Sequence, residues 1–182
     1  MITASQIAPL RTAAIDYADR QQLVEELAQL RRERQPFYLT ALDFERILQW
    51  KLGRQIGRQR ARRRANTEEI IRAVTGLALT ITHPDIEYEL ELRTDILCSL
   101  HGVGVPVASA VLALVFPEEY AVIDRRVWRQ IFDADKTVFS TPDYKKYMRQ
   151  IRCLANDLDW PAQEVDHTIW EFDRRQGKPM AE

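Results

Sequence analysis

The chain has 182 residues, of which 46% are hydrophobic, so it is long enough to bury a core. Its formal net charge of −1 excludes a protein that coats nucleic acid through its overall charge, and any such affinity must come from local basic residues. We expect neither a signal peptide nor membrane association, because no apolar run approaches the roughly 20 residues of a membrane span. The two cysteines are typical of reduced thiols, so we expect a cytoplasmic location.

Apolar residues recur at helical spacing along nearly the whole chain. The segments with this pattern are 3–18, 19–34, 40–50, 67–78, 85–100, 106–116, 125–132, 140–154 and 160–172. No strand-like alternation of useful length appears, so the fold is predicted to be an all-α helical bundle of about eight helices. Residues 1–182 are predicted to form a single domain. Alternatively, this domain consists of two small lobes, in which the N- and C-terminal helices pack beside a central bundle at about 66–132.

Several residues predict where these helices begin and end. Thr40 and Asp43 have the spacing of a capping box, and Gly53 is expected to end the helix that they start. The helix at 67–78 is expected to begin after Asn66 or Thr67.

The stretch 97–132 carries the most specific pattern, which is helix, tight glycine turn, helix, short connection and helix. Gly102-Val103-Gly104 forms the turn, and Pro106 falls in the first turn of the next helix, where a residue without an N–H is tolerated. Two glycines allow close approach to a ligand, and N–H groups beside a helix N-terminus form a concavity suited to phosphate. This is the geometry of a helix-hairpin-helix that grips a nucleic-acid backbone without reading bases. The alternative is a tight turn that serves packing alone.

The same stretch resembles the helix-hairpin-helix DNA glycosylase superfamily, whose hairpin is followed by an aspartate that opens the next helix. The hairpin matches are Leu100, Gly102, Val103, Gly104 and Ala108, and the aspartate match is Asp124. The resemblance implies that DNA is the partner and that a nucleotide is flipped into a pocket beside the aspartate. It also implies a monovalent cation on the backbone carbonyls of the hairpin.

Two departures from the superfamily bear on the expected chemistry. Bifunctional members carry a lysine two residues after the second hairpin glycine, where this chain has Pro106, so a lyase step is not expected. Iron–sulfur members need four cysteines, and with Cys98 and Cys153 alone no cluster is expected. We predict a monofunctional, monomeric DNA glycosylase without a side-chain metal site. The alternative is a non-catalytic DNA-binding or partner-binding protein that keeps the scaffold.

Asp124 is the predicted catalytic residue. Breaking an N-glycosidic bond builds positive charge on the sugar, and a fixed carboxylate can stabilise that charge and orient or deprotonate the attacking water. The simpler role for Asp124 is to cap the helix that begins at Arg125. The two roles are compatible, because capping would hold the carboxylate in place.

The segment 51–64 contains seven basic residues and no acidic one, which is typical of a solvated helix surface or a flexible basic loop and equally of a segment that contacts phosphate beside the neighbouring hairpin. The residues predicted to contact the DNA backbone are Gly102, Val103, Gly104, Arg125, Lys51, Arg54, Arg58, Arg62, Arg63 and Arg64. Trp50 stands where an apolar helix meets this basic run, so it is the candidate for stacking on a flipped base. Trp128 and Trp170 are predicted core residues, and His83 and His167 lack the spacing of metal ligands.

Overall fold

The structure is a computed structural model that describes residues 2–14 and 18–176, and this part of the chain is helical without strands. Its α-helices are α1 (Ala4–Ile7), α2 (Ala18–Glu33), α3 (Ala41–Leu52), α4 (Arg60–Arg63), α5 (Glu68–Thr80), α6 (Ile86–Cys98), α7 (Val105–Val115), α8 (Arg125–Phe132), α9 (Thr141–Leu158) and α10 (Ala162–Arg175). Two 3₁₀ helices cover Ala8–Ala14 and Gly53–Gly57. The all-α prediction is confirmed, and α1 and α4, with four residues each, were not expected as separate helices.

Local capping explains where several helices begin. Thr40 and Asp43 form the predicted capping box of α3, and Gly53 ends that helix with a φ of 48°. Thr67, rather than Asn66, caps α5 by accepting the Ile70 N–H. The predicted helix over 3–18 is interrupted, since an α-helical turn at its start gives way to the 3₁₀ segment Ala8–Ala14, and residues 15–17 lie outside the described chain.

Helix α7 lies at the centre of the core. Its residues from Val107 to Val115 are buried on every face, and it packs against α2, α3, α6 and α9. A helix that is apolar all round is stable in water only when neighbours cover it, and each fully buried leucine, such as Leu112, contributes about 1.5–3 kcal/mol. The buried apolar residues form one cluster that extends from Ile2 to Ile169. Trp128, which is 5% exposed, belongs to it as predicted.

Helices α8 and α10 are held together by Asp173, whose side chain is 1% exposed. Its carboxylate accepts hydrogen bonds from Arg126 Nη1 at 3.0 Å, Arg129 Nη2 at 2.8 Å and Gln130 Nε2 at 2.7 Å. Burial by itself would raise the pKa of Asp173, but the donors Gln130, Arg129 and Arg126 hold it below its usual value.

Within the described residues, no helix is both long enough and apolar enough to cross a membrane.

The substitution Asp173→Ala should destabilise the fold by about 3–5 kcal/mol, because it leaves two arginines on α8 without their buried partner. Urea denaturation measures this loss. Asp135→Ala is the matched control, since Asp135 also pairs with Arg129, at 3.6 Å, but is 74% exposed and should cost less than about 1 kcal/mol. Equal effects of the two substitutions would contradict this account.

Candidate functional site

A buried, non-helical segment from Tyr120 to Ile123 leads into Asp124. Buried backbone groups require hydrogen-bond partners, and here side chains supply them. The Tyr144 hydroxyl donates to the Ala121 carbonyl at 2.8 Å, and Ser109 Oγ accepts the Ile123 N–H at 3.1 Å. Helices α7 and α9 therefore fix the course of the chain immediately before Asp124.

Asp124 caps α8 as predicted, accepting the Arg126 N–H at 2.8 Å. Its side chain remains 31% exposed, and its Oδ2 lies 3.7 Å from Nζ of Lys51 at the end of α3. The ammonium group and the N-terminus of α8 both place positive charge beside the carboxylate. Asp124 is therefore fixed in position while part of it stays accessible.

The carboxylate opens onto a pocket of about 550 Å³, within the size range of small-molecule sites. We call it the Asp124 pocket, and α2, α3, α10 and the segment before α8 build it. Its lining residues are Asp19, Arg20, Trp50, Lys51, Val122, Asp124, Asp166, His167, Trp170, Glu171 and Arg174. Two indoles, those of Trp50 and Trp170, thus share a pocket with the predicted catalytic carboxylate.

A second carboxyl group, that of Asp166 on α10, forms part of the pocket wall and is 6% exposed. The Tyr147 hydroxyl contacts its Oδ1, and the Val122 N–H donates to its Oδ2 at 3.4 Å. Burial raises the pKa of Asp166 to about 7, and the negative charge of Asp124 acts in the same direction. By contrast, burial lowers the pKa of the neighbouring His167 to about 3, so its imidazole is neutral at physiological pH.

The glycine turn lies on a different surface. Gly102 has a φ of 74°, which favours glycine, and a Cβ atom there would lie 2.7 Å from Cγ of Arg63. Asn66 holds the turn at two points, because its Nδ2 donates to the His101 carbonyl at 3.0 Å and its Oδ1 accepts the His101 N–H at 2.9 Å.

Around this turn lies a depression of about 570 Å³, which we call the hairpin groove. The residues that line it are Leu52, Gln55, Arg58, Gln59, Arg62, Arg63, Cys98, Ser99, Leu100, His101, Gly102, Val103, Gly104, Pro106 and Val107. Gly104 is the N-cap of α7, and the first N–H groups of a helix lack partners within it. The structure therefore brings the glycine turn, a helix N-terminus and part of the basic run together.

The remaining basic residues have different surroundings. Arg54 and Arg64 are exposed outside the groove, and Arg125 is half-buried at the start of α8. Arg63 is 8% exposed and donates to the Ile56 carbonyl, so its guanidinium is engaged within the protein. Lys51, predicted to contact phosphate with the basic run, instead lines the Asp124 pocket.

The end of α3 connects the two surfaces. Trp50 and Lys51 line the Asp124 pocket, whereas the next residue, Leu52, lines the hairpin groove. The two surfaces therefore share α3 as a wall, and their linings meet there at consecutive residues.

Sequence reasoning missed Asp166, Tyr147 and Ser109, and it assigned Trp170 to the core although that indole is only partly buried and lines the pocket. A signal for Asp166 was present, because it follows Val165 directly and falls three residues before Ile169, among the buried positions of α10. An acidic residue among buried positions needs a partner, which here is Tyr147.

Comparisons with known proteins return no matching family model, no matching curated protein and no matching solved structure. The described residues contain no group of three or more histidine, cysteine, aspartate or glutamate side chains arranged to hold a metal ion.

The substitution Asp166→Asn should change how the free energy of unfolding depends on pH. The folded chain has an Asp166 pKa of about 7, and an unfolded aspartate titrates near 3.9. Between these values the folded protein keeps a proton that the unfolded chain has lost, so the wild type loses stability as the pH rises. Asparagine does not titrate. We therefore expect the free energy of unfolding of the variant, relative to that of the wild type, to rise by up to about 4 kcal/mol as the pH increases from about 4 to about 8.

Urea denaturation across this pH range measures the difference. The control is Asp157→Asn, at an exposed position on α9, which should follow the wild-type curve. Parallel curves for Asp166→Asn and the wild type would contradict a proton held at Asp166.

Proposed function

We propose that the protein is a monofunctional DNA glycosylase of helix-hairpin-helix type that releases a damaged or modified base. The single observation that carries the proposal is that Asp124, fixed at the start of α8 yet 31% exposed, lines a pocket that shares α3 as a wall with the hairpin groove. A non-catalytic DNA-binding protein would need the groove, but it would have no use for this pocket.

The composition of the pocket suits a flipped nucleobase. Trp50 and Trp170 line it, and stacking of a base on an aromatic side chain contributes about 1–3 kcal/mol. Trp50 is the candidate for this stacking, because the guanidinium groups of Arg126 and Arg174 already lie over the Trp170 ring. A base leaves the duplex only if its new contacts offset the lost stacking and pairing, which amount to a few kcal/mol. The proposal therefore keeps the stacking role at Trp50.

Asp124 would act on the sugar. Its carboxylate stabilises the positive charge that develops at C1′ as the glycosidic bond breaks, and it accepts a proton from the attacking water. Lys51, whose Nζ lies 3.7 Å from Oδ2 of Asp124, balances the charge of the carboxylate and orients it. Pro106 lies where bifunctional members carry their lysine, so water is the proposed nucleophile.

The hairpin groove would hold the DNA backbone. Arg58 and Arg62 are exposed on its rim, and the N–H groups of Gly104 and Val105 at the start of α7 face no intrahelical acceptor. The proposal keeps three predicted phosphate contacts outside the groove, which are Arg54, Arg64 and Arg125. It omits Arg63, because that side chain is buried and supports the glycine turn. The monovalent cation on the hairpin carbonyls remains a prediction.

Base release tests the enzyme directly. Duplexes that each carry one deaminated, oxidised or alkylated base are incubated with the protein, and half of each sample is treated with alkali. We expect strand cleavage at one or more of these bases after alkali alone, because a monofunctional enzyme leaves an intact abasic site. Asp124→Asn should lose about 10²–10⁴-fold in rate while still binding DNA, since it removes charge and not the fold.

The exposed variant Asp157→Asn is the matched control and should keep full activity. DNA binding without base release from any duplex would favour the non-catalytic alternative. Cleavage without alkali would show that an amine of the protein, and not water, attacks the sugar.

The salt dependence of DNA affinity tests the hairpin groove. Each phosphate contact contributes about 0.9 to the slope of log affinity against log salt concentration. The double variant Arg58→Gln/Arg62→Gln should therefore flatten the slope by about 2. Arg32→Gln removes an exposed arginine from α2, away from the groove, and should leave the slope unchanged. An unchanged slope in the double variant would exclude the groove as the DNA-contacting surface.

A further inference from the structure

The Tyr147 hydroxyl lies close to two hydrogen-bond acceptors. It is 3.2 Å from the Val122 carbonyl oxygen and within hydrogen-bond distance of Asp166 Oδ1. A hydroxyl group has one proton to donate, so it can serve only one of two acceptors. If Asp166 is protonated, both contacts are satisfied, because the carboxyl O–H donates to the tyrosine oxygen while the tyrosine donates to Val122.

The surroundings of the carboxyl group favour this neutral form. Asp166 is 6% exposed, and a buried carboxylate is costly unless its charge is compensated. The charged and titratable groups that face it from the surrounding elements are Asp124, Lys51, Arg20, His167, Tyr144 and Tyr147. The negative charge of Asp124 disfavours the ionisation of Asp166 and so raises its pKa. The positive charges of Lys51 and Arg20 favour ionisation and so limit this rise.

We propose that Asp166 is a second catalytic residue of the Asp124 pocket, which supplies the proton taken up by the departing base. This inference rests on the proposed function and adds the acid that a hydrolytic glycosylase needs when the leaving base requires a proton. Two carboxyl groups held in different protonation states by their surroundings are a general arrangement for acid–base chemistry.

The other groups in the pocket suit the role less well. Burial lowers the pKa of His167 to about 3, so it carries no proton to give at neutral pH. Glu171 is paired with Arg174 at 2.9 Å, and Lys51 is paired with Asp124. Burial raises the pKa of Asp166 to about 7, which matches an acid that works near neutral pH.

The step balances as follows. The C1′–N bond breaks and its electron pair passes to the base, which takes the proton of Asp166. A water molecule bonds to C1′ through its oxygen and loses one proton to Asp124. Before the transfer, the Asp166 proton leaves its hydrogen bond to the tyrosine oxygen. The Tyr147 hydroxyl then turns from the Val122 carbonyl to the new Asp166 carboxylate, to which the Val122 N–H already donates. Exchange with solvent returns the proton from Asp124 to Asp166.

The test is the pH dependence of base release under single-turnover conditions, on a duplex that the wild-type protein cleaves. Above pH 7 the wild-type rate should fall about tenfold per pH unit as the acid is lost. Asp166→Asn should be slower by about 10²–10⁴-fold at pH 6.5 and should lack this decline. Glu164→Gln is the control, because it removes a carboxylate from the same helix that pairs with Arg11 outside the pocket.

A structural role for Asp166 would lower the rate at every pH and keep the decline, so that result would overturn the inference and leave the glycosylase proposal standing. Failure of the wild type to release any base would instead remove the proposed function, and this inference with it. A carbon-13 NMR titration of the free protein, assigned with Asp166→Asn, gives a reading that needs no substrate. We expect the Asp166 carboxyl to titrate near pH 7, and ionisation below pH 5.5 would overturn the inference by itself.

Discussion

The constraint on which the site depends is the burial of a non-helical segment between α7 and α8. A segment outside helices and sheets has no regular backbone partners, and in the interior each unpaired N–H or carbonyl costs about 1–3 kcal/mol. Side chains from three helices supply the partners, namely Ser109 from α7, Tyr144 and Tyr147 from α9, and Asp166 from α10. The same hydrogen bonds that make the segment stable also set the position of the next residue, Asp124.

This arrangement makes structure and chemistry hard to separate at Asp166. Its carboxyl group contacts the backbone N–H of Val122, and it forms part of the pocket wall. A residue that served the backbone alone could be a neutral amide, whereas a titratable group there makes stability depend on pH and, in the proposed function, makes base release depend on pH as well. The pH dependence that follows is therefore the property that separates the two roles.

The end of α3 separates the residues that line the Asp124 pocket from those that line the hairpin groove. Gly53 ends the helix with a positive φ, and the chain then turns into the short helices that carry the arginines. Because of this turn, Trp50 and Lys51 stay with the pocket while Arg58 and Arg62 reach the hairpin groove.

The sequence by itself determined the longer helices from α2 onward, most of their ends, the glycine turn and the cap at Asp124, because these depend on residues within about four positions of one another. It also predicted Trp50 beside the site. Only the tertiary structure decided that Lys51 faces Asp124, that Arg63 is buried under Gly102, and that Asp166 and Trp170 line the pocket. These outcomes depend on which helix faces meet, and residues that are distant in sequence become neighbours only when the whole core packs.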